Sequence, residues 1–128
     1  MALRIVRLGT PRHPKEGLRI GTVRRPPRGV PKAEFATRNY YDTWLPILSP
    51  SEALVKSAQG AETEAEWKTF LRAFKIELSR PEAQHTLALL AALSKTTNLS
   101  VGCYCEDEAR CHRSVLRALL TEAGAEIA

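Results

Sequence analysis

Asn98–Gly124 reads NLSVGCYCEDEARCHRSVLRALLTEAG, and a change of period inside this stretch sets the fold class. Asn98–Cys105 is small, apolar and bounded by polar residues, the composition of a buried strand. The polar run EDEAR follows. From His112 the spacing becomes helical: Val115, Leu116, Leu119, Leu120 and Ala123 form one stripe, and Gly124 is a natural stop. Strand, loop and amphipathic helix in succession make half of a βα unit.

Working outward, Leu3–Leu8 (LRIVRL) alternates and reads as a strand, followed by the Pro- and Gly-rich loop GTPRHPKEG. Leu18–Arg25 alternates again, with Leu18, Ile20 and Thr22 on one face and Arg19, Gly21 and Val23 on the other. The prolines of Pro26–Lys32 end it. Residues 36–48 carry a weak pattern that fits a short helix or a loop. Ser49 or Ser51, with Pro50 near the first turn, opens a helix. Thr63 and Glu66 have capping-box spacing ahead of an apolar stripe of Trp67, Phe70, Leu71, Phe74 and Leu78. Ser79 and Glu82 repeat that spacing around Pro81 and open a further helix through Leu93. Strands separated by helices predict an α/β protein: one compact domain over residues 1–128, three layers, with a small, mostly parallel sheet flanked by helices. The final Glu126–Ala128 is expected to add a short edge strand.

The 128 residues suffice for one real core. No stretch approaches the roughly 20 apolar residues that span a bilayer, and MALRIVRLG lacks a signal-peptide apolar run, so a cytoplasmic protein without a membrane partner is expected. Three cysteines are an odd number, and two of them stand one residue apart, so reduced thiols are expected. Charge is uneven: residues 1–40 hold ten Lys/Arg against two Glu. Such a basic third attracts phosphate or nucleic acid, or is simply solvated. His13 and His85 are isolated, and Tyr40, Tyr41 and Trp44 are read as packing rather than as a base-stacking surface.

Every thiol of the chain falls within Cys103–Cys111. On a strand, Cys103 and Cys105 point to one face, at the carboxyl end where open α/β sheets bind ligands. Cys111, His112 and Arg113 stand at a helix amino end, which suits anions. Three chemistries compete with plain packing of small apolar thiols. C-x-C-x5-C-H supplies enough ligands for zinc, but the spacing is unlike the usual knuckles and closes only if the loop folds back tightly; no metal or cofactor is assigned. Cys111, flanked by Arg110, His112 and Arg113, is expected to carry a lowered pKa, opposed by Glu106, Asp107 and Glu108 upstream. In the third chemistry arginines dominate: Arg24, Arg25 and Arg28 leave the second strand and meet Arg113 at one sheet edge if the strands are parallel neighbours.

CYCEDEARCHRSVLRALL resembles the C-terminal signature of the YeaO-like family, also called domain of unknown function 488. GLRIGTVRRPPRGVPK, WLPILSPSEALVK and EWKTFLRAFKIEL resemble three further family segments in the same order, so the likeness runs from about Leu3 to Ala123. It implies a compact three-layer α/β domain and carries the family's paired arginines onto Arg24 and Arg28, and its Cys-His-Arg onto Cys111, His112 and Arg113. Val23 and Pro26 depart from the family's Asp and Trp, which makes the strand end more purely basic. Members without the cysteine block imply that the fold does not need those thiols. The resemblance brings no reaction with it. The reading that follows is an anion site for a phosphate, nucleotide or nucleic acid, bound by Arg24, Arg28 and Arg113 beside Cys103 and Cys105, with Cys111, His112 and Arg113 as the catalytic group. A non-catalytic nucleic-acid module and a thiol metal or redox sensor are the alternatives, and no oligomeric state is read.

Overall fold

A computed structural model describes residues 1–107 and 111–128; Glu108 and Arg110, weighed above for the charge around Cys111, lie outside the described residues. The strands are β1 (Leu3–Arg7), β2 (Leu18–Gly21), β3 (Thr43–Trp44) and β4 (Leu99–Cys103), and the helices α1 (Glu52–Gln59), α2 (Glu64–Glu77), α3 (Pro81–Leu93) and α4 (Arg113–Glu122). All four strands run parallel in the order β1-β4-β2-β3. β4 is the last strand in sequence, yet it inserts between the first two, pairing Leu99 with both Leu3 and Leu18. Its LSVGC is buried throughout, as a strand covered on both faces and both edges must be. The mostly parallel sheet expected from sequence is thus parallel throughout.

One face of the sheet presents Leu3, Ile20, Leu99 and Val101 to the helices. Trp67, Phe70, Phe74 and Leu78 of α2, Leu87 and Leu90 of α3, and Val115, Leu116 and Leu120 of α4 close over them. Each such side chain contributes roughly 1.5–3 kcal/mol when taken fully out of water. Trp67 stacks on Phe70 and Phe70 on Phe74, with ring centroids 5.0 and 6.1 Å apart. A smaller cluster joins Leu8, Val23, Tyr41, Cys103 and Cys111, with Phe35, Tyr40 and Tyr104 packed against it.

Some local expectations are corrected. β2 stops at Gly21, because beyond it the chain leaves the ladder for the proline-rich segment. Leu18 is half exposed at the strand's start rather than in the core. Residues 36–48 hold a two-residue strand and a 3-10 turn at Pro46–Leu48. Ser51 caps α1, accepting from Leu54 N, and Thr63 caps α2, accepting from Glu66 N at 3.1 Å. Ser79 does not cap α3: its Oγ donates to the Ile76 carbonyl at the end of α2, Arg80 is the N-cap, and Pro81 holds the first helical position. Gly124, at φ 94°, follows the last turn of α4 as expected. The C-terminal residues do reach the sheet, bridging Ile127 to Leu3 outside β1, with Ala128 N donating to the Leu3 carbonyl at 2.9 Å. No helix among the described residues is long and apolar enough to cross a membrane.

Candidate functional site

Because β4 inserts between β1 and β2, the chain leaves neighbouring carboxyl ends into different segments, the point at which parallel sheets open a crevice. A cleft of about 1190 Å³ lies there. Val23–Arg28 forms one wall, α1 residues Glu52, Val55 and Lys56 another, and Cys103, Tyr104, Cys105, Cys111 and His112 line the inner side. The basic wall is held in place: Trp44 Nε1 donates to the Val23 carbonyl at 2.6 Å, and Tyr104 Oη to the Arg25 carbonyl at 2.9 Å.

The two buried sulfurs of Cys103 and Cys111 stand 2.6 Å apart. His112, the N-cap residue of α4, places Nε2 2.8 Å from the Thr22 carbonyl oxygen and Nδ1 3.7 Å from Cys111 Sγ. Burial holds the imidazole below its usual pKa, against the raising effect of the Thr22 hydrogen bond. Cys105 is the exposed thiol. Hydrogen bonding from Cys103 and Cys111, with the charges of His112 and Arg113, pulls it down, while its donors respond oppositely. Cys103 is pushed up by donating to Cys105 and Cys111 and by burial. Cys111 is pulled down by Cys103 but pushed up more by Cys105 and burial. The low thiol expected at Cys111 therefore falls at Cys105, because Cys111 is covered and serves as a donor.

The arginines divide. Arg24 donates from Nε to the Pro50 carbonyl at 3.0 Å and from a terminal nitrogen to the Ser49 carbonyl at 3.2 Å, joining the basic wall to the start of α1. Arg25 pairs with Glu52 at 2.5 Å. Arg28 is exposed on the cleft and has no hydrogen-bond or ion-pair partner among the described residues. Arg113 does not line the cleft: it is buried and donates to the Cys105 carbonyl at 2.6 Å, while its Nε has no partner among the described residues. Arg24, Arg28, Cys103, Cys105, Cys111 and His112 are brought together, and Arg113 stands behind them.

Two features escape the sequence reading. Lys56 of α1 faces the cleft from across the basic wall, and its single position on an amphipathic helix gave no signal. Beneath the opposite face of the sheet, Arg19 and Glu16 form a buried ion pair, with Nε–Oε1 2.5 Å and Nη2–Oε2 3.0 Å. The same guanidinium donates to the Thr10 and Asn39 carbonyls, and Ser100 Oγ donates to Glu16 Oε1 at 2.8 Å. The only trace in sequence is the three-residue spacing of Glu16 and Arg19.

A family model described as "Active DUF488-N3 subclade" matches residues 3–124. No curated protein and no solved structure matches the chain.

Proposed function

The chain belongs to the DUF488 family, and for this member we propose that the cleft binds the phosphate of a nucleotide. The observation that carries the reading is the balance of charge on the cleft: Arg24, Arg25, Arg28 and Lys56 line it against Glu52, the one acid on it among the described residues. Glu52 is already paired with Arg25. Arg28 and Lys56, from opposite walls, are left for the ligand, and Arg24 spends its donors on neutral carbonyls and keeps its charge. A guanidinium fork and a mobile ammonium are well matched to phosphate oxygens. Between these cations the walls are apolar, with Pro26, Pro27 and Val55, which suits the planar, weakly polar part of a nucleotide better than free phosphate alone. Cys105, Cys111 and His112 form the inner wall in this reading, and Arg113 positions the Cys105 backbone from behind.

Pyrophosphate and a nucleoside monophosphate are the probes. Both should raise the melting temperature of the wild-type protein, and the nucleotide should bind the tighter of the two. In Arg28→Ala/Lys56→Ala affinity should fall at least about tenfold, given that hydrogen bonds to charged groups contribute roughly 1.5–3 kcal/mol each. Equal stabilisation of wild type and double variant, or none in either, defeats the reading.

A further inference from the structure

Cys103 Sγ, Cys111 Sγ and a ring nitrogen of His112 lie within 4.8 Å of one another. The hydrogen bond at the other side of the ring fixes which nitrogen faces the sulfurs. Nε2 is 2.8 Å from the Thr22 carbonyl, an acceptor, so Nε2 carries the proton and Nδ1 presents its lone pair. A backbone carbonyl behind the imidazole is the usual support of a metal-bound histidine, since it sets both the tautomer and the ring's direction. Phe74 packs edge-on against the ring, with centroids 5.7 Å apart, and restrains its plane. Thiolate and imidazole donors suit zinc-like ions and not magnesium or calcium.

We infer that Cys103 Sγ, Cys111 Sγ and His112 Nδ1 hold a thiophilic divalent cation of the zinc type, with a fourth coordination position open to the cleft. All three residues line the cleft, so the open position faces its interior. Three protein ligands with one free position is the pattern of zinc sites that take a water or a substrate atom. Cys105 is exposed and hydrogen-bonded to Cys103 and Cys111, but it is not one of the three donors that all lie within 4.8 Å of one another.

The competing use of the two sulfurs is a disulfide. Their separation of 2.6 Å falls between the two possibilities. A disulfide has about 2.0 Å, and two sulfurs each about 2.3 Å from one tetrahedral ion stand roughly 3.7 Å apart. The histidine decides between them. A disulfide satisfies the sulfurs and leaves the Nδ1 lone pair of a well-covered ring facing no donor, an arrangement folded proteins avoid. A cation engages all three donors and gives the Thr22 hydrogen bond a purpose.

The test uses tag-free, reduced protein and Co²⁺ as the probe. One Co²⁺ per chain should bind, with thiolate-to-cobalt charge-transfer absorption and the intense visible bands of four-coordinate cobalt, and Zn²⁺ should displace it. Cys105→Ser should keep these bands. Cys111→Ser and His112→Ala should lose the four-coordinate spectrum, with far-ultraviolet circular dichroism reporting whether each variant folds. If reduced wild-type protein gives no cobalt bands, the site is overturned whatever the variants do. Loss of the bands in Cys105→Ser overturns the open fourth position. Arg28→Ala/Lys56→Ala should bind Co²⁺ as wild type does, so a failure of the phosphate reading and a failure of the metal site remain distinguishable.

Discussion

Arg19 and Glu16 are both buried, and the carboxylate accepts from the guanidinium, from Ser100 Oγ and from the His13 amide. Removing one partner leaves the other charge uncompensated away from water, at a cost of about 3–5 kcal/mol. Arg19→Ala should therefore lose about that much in urea unfolding, whereas a surface arginine such as Arg38, replaced by Ala, should change little. The pair also sets an acid limit. Burial works to raise the Glu16 carboxyl, but its hydrogen bonds with Arg19, Ser100 and His13 outweigh that and hold it below the usual range. Asp42 is likewise raised by burial and lowered further by Arg12 and the Arg19 amide. Both depressed carboxyls add stability that is complete above their ordinary pKa of roughly 4 and is lost as pH falls through the lower folded values. The melting temperature should thus fall below about pH 4, and Glu16→Gln should start lower at neutral pH and show a shallower acid limb. An unchanged acid limb in Glu16→Gln would falsify this assignment. At this scale the sequence was least legible. Alternation puts Arg19 opposite Ile20, but nothing in it tells that loops roof that face and turn a cation into a buried tie.

β4 shows what an element's neighbours demand of its residues. Val101 fills the helical side, while Gly102 faces β1, where an added Cβ would stand 2.6 Å from the Val6 carbonyl oxygen. Backbone cannot yield there without opening the β1–β4 ladder, so Gly102→Ala should cost about 1–3 kcal/mol, the usual range for overpacking. A variant as stable as wild type by thermal melt would show that the ladder relaxes freely. α2 gives a milder case: Thr63→Ala removes the cap on Glu66 N and should cost about 1 kcal/mol. Both elements were legible in sequence for physical reasons. The stripe from Trp67 to Leu78 repeats at the helical period because its residues meet one sheet face, and LSVGC is small because it is enclosed. The second capping signal, at Ser79, misled because a serine near a helix end can equally finish the helix before it, as it does at Ile76. The tie between Cys103 and Cys111 was legible only as a possibility, since spacing cannot say whether a loop folds back.

Over the whole molecule, the basic N-terminal third is less polarised than its composition suggests. Arg7, Arg12 and Arg25 meet Glu106, Asp42 and Glu52 from the more acidic remainder, and Arg19 is neutralised internally by Glu16. Folding thus removes part of the contrast between residues 1–40 and the rest, and leaves Arg24, Arg28 and Lys56 on the cleft without an acidic partner among the described residues. This separates two ways for a basic protein to bind nucleotides. A diffuse basic surface loses affinity with salt, and removing any exposed cation weakens it by a similar small amount. A focused cleft responds unequally. Pyrophosphate affinity should fall as salt rises from about 0.05 to 0.5 M, because the Debye length shrinks from roughly 14 to 4 Å over that range. Arg28→Ala/Lys56→Ala should bind weakly at every salt concentration and show a flatter dependence, its two ligand-facing charges having gone. Arg38→Ala, exposed and outside the cleft, should keep both the wild-type affinity and the wild-type slope. Titration calorimetry across a salt series reads all three. Equal weakening by Arg38→Ala and by the double variant would mean that net charge rather than the crevice beside β4 attracts the anion, and the phosphate site would have no fixed place in the fold.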